Sequence, residues 1–189
     1  MSPPSRARRA ALIAGSTIWF LTFLGAISPF HPAKASAGCR YRYAKPTKVS
    51  TKKVKRATMC LINEERSRHG APRVDPNGRI GDAGRRHSRY MQAHHCFSHQ
   101  CRGEPGLLRR IARSGYFAGA RSYGCGEAIG WGDMTPKRMV KRWMASGAHR
   151  AILLDPDFEH VGVGTVWGTP WKAKANAAIY TADFCYRDG

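Results

Sequence analysis

The chain has 189 residues, and its 32 lysines and arginines outnumber 12 acidic residues, for a formal charge of +20. That length suits one domain with a single core and excludes a large multidomain assembly. The charge favours polyanionic partners, but no nucleic-acid-binding motif accompanies it, so a specific nucleic-acid partner is not expected.

In chain order, residues 1–37 read as a secretory signal peptide. Arg6, Arg8 and Arg9 precede an uncharged, mostly apolar run from Ala10 to Ile27, and Ala33-Lys34-Ala35 and Ala35-Ser36-Ala37 are small-x-small cleavage sites. The run approaches the ~18 residues of a membrane-span candidate. Gly15, Ser16 and Thr17 dilute it, which favours cleavage. Contact with a membrane is expected only through this segment, if it stays uncleaved.

About 150 residues remain, with 28 basic and 12 acidic side chains, or +16. Eight of those positive charges lie together: Arg40, Arg42, Lys45, Lys48, Lys52, Lys53, Lys55 and Arg56. Residues 38–53 read as a basic, irregular lead-in, and residues 54–189 as the folded domain. Such a charge run is either a solvated approach to a helix or a surface for anionic cell-envelope polymers or lipid. All six cysteines fall after the signal, and in an exported chain an even count points to disulfides, with fifteen possible connectivities. Cys96 and Cys101 are close enough to close a small loop. Cys39 with Cys60 and Cys125 with Cys185 are the expected remaining pairs; free thiols are the alternative.

Helical periodicity begins at Val54 and continues through Ala57, Leu61 and Ile62 until Gly70 and Pro72 stop it. A second helix is expected over Arg79–His94, with Ile80, Ala83, His87, Tyr90 and Met91 on one stripe. A third spans Pro105–Ser114. Thr135-Pro136 caps a fourth that runs to Gly147. Strands are expected at His160–Trp167 and Ala177–Tyr186, joined as an antiparallel hairpin through Gly168–Asn176, with a further strand at Cys125–Trp131. Helices early and strands late predict an α+β domain.

Common catalytic signatures are absent: there is no Gly-x-Ser-x-Gly, His-Glu-x-x-His, phosphate loop or dinucleotide fingerprint. No Cys-x-x-Cys pair supports a zinc ribbon. His94, His95, Cys96, His99 and Cys101 are dense enough to hold a metal, but a Cys96–Cys101 disulfide flanked by exposed histidines is the better reading in an oxidising compartment.

The remaining motifs, in order, are Leu61-Ile62-Asn63-Glu64-Glu65-Arg66, His87-Ser88-Arg89-Tyr90-Met91, Phe97-Ser98-His99 and Arg113-Ser114-Gly115-Tyr116. They continue with Gly126-Glu127-Ala128-Ile129, Trp143-Met144-Ala145-Ser146, Gly147-Ala148-His149-Arg150, Val161-Gly162-Val163-Gly164 and Tyr180-Thr181-Ala182-Asp183-Phe184. Over about residues 57–186 this set resembles the CAP superfamily of cysteine-rich secretory proteins, antigen 5 and pathogenesis-related proteins, in its bacterial SCP-like branch.

The resemblance implies a three-layer α-β-α sandwich with a central antiparallel sheet and an open cleft. The signal and the cysteine usage, independently of the resemblance, make a secreted, extracellular or cell-envelope location the expected one. In the family, two histidines and two acidic residues face the cleft and in several members bind a divalent cation. Those positions fall here on His99, Glu127 and His149; the second acid has no counterpart, since Ala145 and Ser146 occupy that stretch. Ala128 and Ile152 replace two asparagines of the family pattern.

By chemistry, two imidazoles and a carboxylate match a three-ligand zinc site with an open position, whose bound water could support hydrolysis. They equally match a hydrogen-bonded polar cluster that orders the cleft. No nucleophile is marked, because neither Ser98 nor Ser146 has a visible activating partner. The reading is therefore an extracellular binding module for a divalent cation such as zinc, or for an envelope or lipid ligand, with a peptidase-like hydrolase as the alternative. Asn63 and Arg66 are expected to tie the first helix to the sheet, and Arg150 to anchor the loop or strand beside His149. His87 reads as a satisfied interior histidine, and Trp131, Trp167 and Trp171 as candidate cleft walls.

Overall fold

The computed structural model describes residues 38–173 and 175–189; the segment read as a signal peptide lies outside them. Residues 38–50 are bound tightly to the first long helix. Cys39 is disulfide-bonded to Cys60, Arg42 forms an ion pair with Glu64, and a single 3-10 turn at Pro46–Lys48 buries its proline. That helix, α1, runs Thr51–Arg68, so it takes the last three residues of the stretch expected to be irregular. It buries Val54, Ala57, Leu61 and Ile62.

A two-residue strand, β1 (Asp75–Pro76), precedes α2 (Gly78–Ala93), whose first turn is capped by the Asn77 side chain accepting from Arg79 and Ile80 N–H. The short α3 (Leu107–Ala112) comes next, then the long strand β2 (Ser122–Gly132). Helix α4 (Pro136–Met144) starts as expected, with Thr135 accepting from Arg138 N–H and Pro136 in the first turn. It does not continue to Gly147. Ser146 takes an extended conformation, and a separate helix, α5 (Gly147–Leu154), begins after it. Arg150 is thus an exposed helix residue, and its side chain makes no hydrogen bond or ion pair among the described residues. Strands β3 (His160–Trp167) and β4 (Ala178–Asp188) complete the chain.

The sheet order is β1-β3-β4-β2. Strands β2, β4 and β3 pair antiparallel, and β1 adds two parallel residues at the β3 edge, the one departure from a purely antiparallel sheet. Because successive strand residues face opposite sides, the sheet has two distinct faces. On one, Val161, Val163, Ala178, Tyr180, Ala182 and Phe184 pack with α1, α4 and α5 through Leu61, Ile62, Trp143 and Leu153. The other receives α2 and α3. The result is three layers, α-β-α.

The glycines of β3 explain how close α2 sits. A Cβ on Gly162 would lie 2.1 Å from Gly81 N, and one on Gly164 2.1 Å from Arg85 N. Helix backbone rests almost directly on strand backbone there, which requires glycine on the strand. Two further disulfides, Cys96–Cys101 and Cys125–Cys185, hold the loop after α2 and join β2 to β4. Asn63 exchanges two hydrogen bonds of 2.9 Å with the Val74 backbone. Arg66 donates to the Leu153, Asp155, Pro72 and Phe158 carbonyls. They therefore tie α1 to connecting segments and, through Leu153, to the end of α5 rather than to the main strands.

Candidate functional site

Glu127 projects from β2 toward the α2–α3 side, and its carboxylate is almost wholly buried. His99 reaches it from the loop closed by Cys96–Cys101, its Nδ1 2.8 Å from Oε1. Arg110 of α3 donates from Nη2 to Oε2 at 2.6 Å and from Nη1 to the His99 carbonyl at 2.9 Å. His87, fully buried on α2, stands 3.6 Å from Oε2 through Nε2, while its Nδ1 lies 2.9 Å from both oxygens of the buried Glu104. Sequence reasoning identified His87 as interior, but it missed Arg110 and Glu104.

Charge accounts for the arrangement. Burial alone would push Glu127 up, yet the His99 hydrogen bond and the His87 and Arg110 charges hold it below its ordinary value. The same hydrogen bond raises His99 despite partial burial. Asp183 is the cross-strand partner of Glu127, fully buried, and neither of its carboxyl oxygens has a hydrogen-bond partner among the described residues. Burial and the neighbouring Glu127 charge push it well above its ordinary value, which favours the neutral acid.

His149 comes from the opposite layer, on α5. Its Nδ1 is 2.9 Å from Ser146 Oγ, the side chain of the helix-capping position, which makes no capping bond of its own. Burial lowers the His149 pKa, and the charges of His99 and Arg142 lower it further. Together with Ser146, Arg142, Phe97, Ile129 and Trp131 it lines a cavity of about 280 Å³ at the β2 edge. Phe97 meets Trp131 edge to face at 6.5 Å, and Trp131 meets the half-exposed Trp171 at 5.1 Å. Trp131 is therefore a cleft wall and Trp171 an extension of it, whereas Trp167 packs against the core.

His99 and Glu127 are in direct contact and His149 approaches across the sheet edge. The donor atoms of the three do not converge within 4.8 Å. The group that does so among the described residues is Cys39, Cys60 and Glu64, where a disulfide takes both sulfurs. Ala128 and Ile152, the two departures from the family pattern, lie on the α1–α4–α5 side: Ala128 in the core, Ile152 facing Gly126. They do not touch Glu127 because they belong to the other face.

Three layers around a central sheet that is antiparallel but for β1 are the architecture that the ordered motifs implied. The sequence profile of the CAP family (Cysteine-rich secretory protein family) matches residues 60–184, and this chain belongs to that family. It is 32% identical over 108 residues to the uncharacterized protein YkwD of Bacillus subtilis, covering 56% of this chain and 40% of that protein. A crystal structure of an extracellular SCP-domain protein of Bacillus anthracis superposes with a TM-score of 0.58 at 25% identity, over 72% of this chain and 43% of that one. An outer surface protein of Borrelia burgdorferi shares the fold alone, with a TM-score of 0.61 at 17% identity over 74% of this chain and 97% of its own. The chain thus spans less than half the length of its Bacillus relatives.

Proposed function

We propose that this chain is a secreted, extracellular or envelope-associated binding module whose cleft at the β2 edge takes an envelope ligand, with His99 and His149 able to share a divalent cation such as zinc. The observation that carries the reading is an aromatic-walled cavity with His149 in its lining, beside the Cys96–Cys101 loop that carries Phe97 of its wall and His99, whose charge is close enough to lower the His149 pKa. Glu127 does not need to ligate: its oxygens are taken by His99 and Arg110, so it orients the imidazole as an outer partner would. Neither Nε2 is hydrogen-bonded within the described residues. The Bacillus anthracis and Borrelia proteins are extracellular and outer-surface proteins respectively, which together with three disulfides supports the location.

Zinc titration of the purified protein, followed calorimetrically, tests the cation. Saturable binding is expected in the wild type and is lost in His99→Ala/His149→Ala; undiminished binding in that variant removes the site. Since metal takes the neutral imidazole, and His99 holds its proton above the ordinary 6.5, zinc affinity is expected to climb as pH rises past that value.

A hydrolase is the second reading, and the Ser146–His149 contact is what favours it: a hydroxyl within hydrogen-bond reach of an imidazole in a cleft. Against it, His149 has no acidic partner to orient it among the described residues. Hydrolysis of a peptide or ester substrate that survives both Ser146→Ala and Glu127→Gln unchanged would eliminate this reading.

A further inference from the structure

On the far side of Glu127 from the cleft, between α2 and α3, lies a second cavity of about 310 Å³. Arg86, Arg110 and Arg113 line it together with Glu104, Tyr90 and Pro105. Among the described residues the side chains of Arg86 and Arg113 pair with no acid and no carbonyl, although Arg85 next door finds Asp82. Glu104 is committed on both oxygens to His87. Arg110 is buried, and its Nε is a buried donor with no acceptor among the described residues. Buried donors are normally satisfied by protein, water or ligand. Arg110 is already ion-paired with the Glu127 carboxylate at 2.6 Å, so the unpaired positive charge of the wall lies on the exposed Arg86 and Arg113.

We propose that this α2–α3 cavity is a phosphate-binding site, distinct from the cleft, that takes inorganic phosphate or the phosphate of a compact phosphomonoester. Guanidinium forks match phosphate oxygens in geometry, and the unpaired Arg86 and Arg113 supply the positive charge that favours an anion. Tyr90 and Pro105 give an apolar flank on which a ring attached to the phosphate can lie. The proposal does not rest on the cation or ligand reading of the cleft, since neither imidazole of that site lines this cavity.

Isothermal titration of the purified protein with inorganic phosphate, glucose 6-phosphate and glucose, at two salt concentrations, tests it. Arg86→Gln/Arg113→Gln is expected to weaken both phosphates by roughly tenfold or more, while its thermal melt stays that of wild type because both side chains are exposed and neither makes a hydrogen bond or ion pair among the described residues. Lys48→Gln/Lys52→Gln removes the same two charges from the α1 side and is expected to bind as wild type does. Tighter binding of the sugar phosphate assigns an ester ligand, and equal binding assigns the free anion; either upholds the site. The proposal is overturned if the wild type binds neither phosphate, or if the lysine variant loses as much affinity as the arginine variant.

Discussion

Asp183 and Glu127 face each other across β4 and β2, so the charge on Glu127 disfavours a charge on Asp183. The neutral Asp183 has a raised folded-state pKa, so its contribution to stability is fully present below its unfolded value of 3.8 and is lost as pH rises through the folded value. Subtracting the thermal-melt profile of Asp183→Asn from that of the wild type should therefore give a curve falling with pH above 3.8; a flat difference would mean that Asp183 is ionised in the fold. Arg110→Met should cost about 3–5 kcal/mol in urea unfolding, because it strands Glu127 and Glu104 with fewer partners. His99, Glu127 and His149 were legible as short motifs with small neighbours. Arg110, Glu104 and Asp183 were not: they matter through contacts between elements 17 residues or more apart in the chain, and nothing local marks an arginine on a short helix as the one that neutralises a buried acid.

Contact between α2 and β3 is governed by two missing side chains. Gly164→Ala puts a methyl group 2.1 Å from Arg85 N and 2.2 Å from the Gly84 carbonyl carbon. Backbone cannot yield as a side-chain tip does, so a loss of about 1–3 kcal/mol or more is expected. The same shift should move Ser88 from its 2.8 Å contact with Thr181, visible as changed NMR shifts on α2; an unaffected α2 would refute the close-packing account. The Val/Gly alternation made this strand legible, down to its ends, because one face had to be apolar and the other empty. The α4–α5 break was harder to read, since Trp143 through Leu154 keep a helix-compatible composition and the interruption lies in the backbone of Ser146. β1 is two residues long and has no pattern to detect; it exists because β3 offers it an edge.

At the scale of the molecule, the three disulfides enclose 21, 5 and 60 residues of separation, which on a chain-entropy basis correspond to about 3, 2 and 4 kcal/mol. Cys125→Ser/Cys185→Ser should thus lower the urea midpoint more than Cys96→Ser/Cys101→Ser; the reverse order would show that native strain, not loop closure, sets the ranking. The layered fold could be read from the order of motifs, but the tight docking of residues 38–50 could not, because their charge resembles that of a solvated tail.

The smallest of these covalent rings has a separate meaning. Cys96 and Cys101 make a macrocycle of the short segment that carries Phe97 and His99, so the cleft's wall and its imidazole are mounted on a closed hoop rather than on a swinging arm. Much of the ordering entropy of that rim is removed before any ligand arrives. Opening the hoop alone, by Cys96→Ser/Cys101→Ser, should therefore weaken cleft binding while leaving the three-layer body folded.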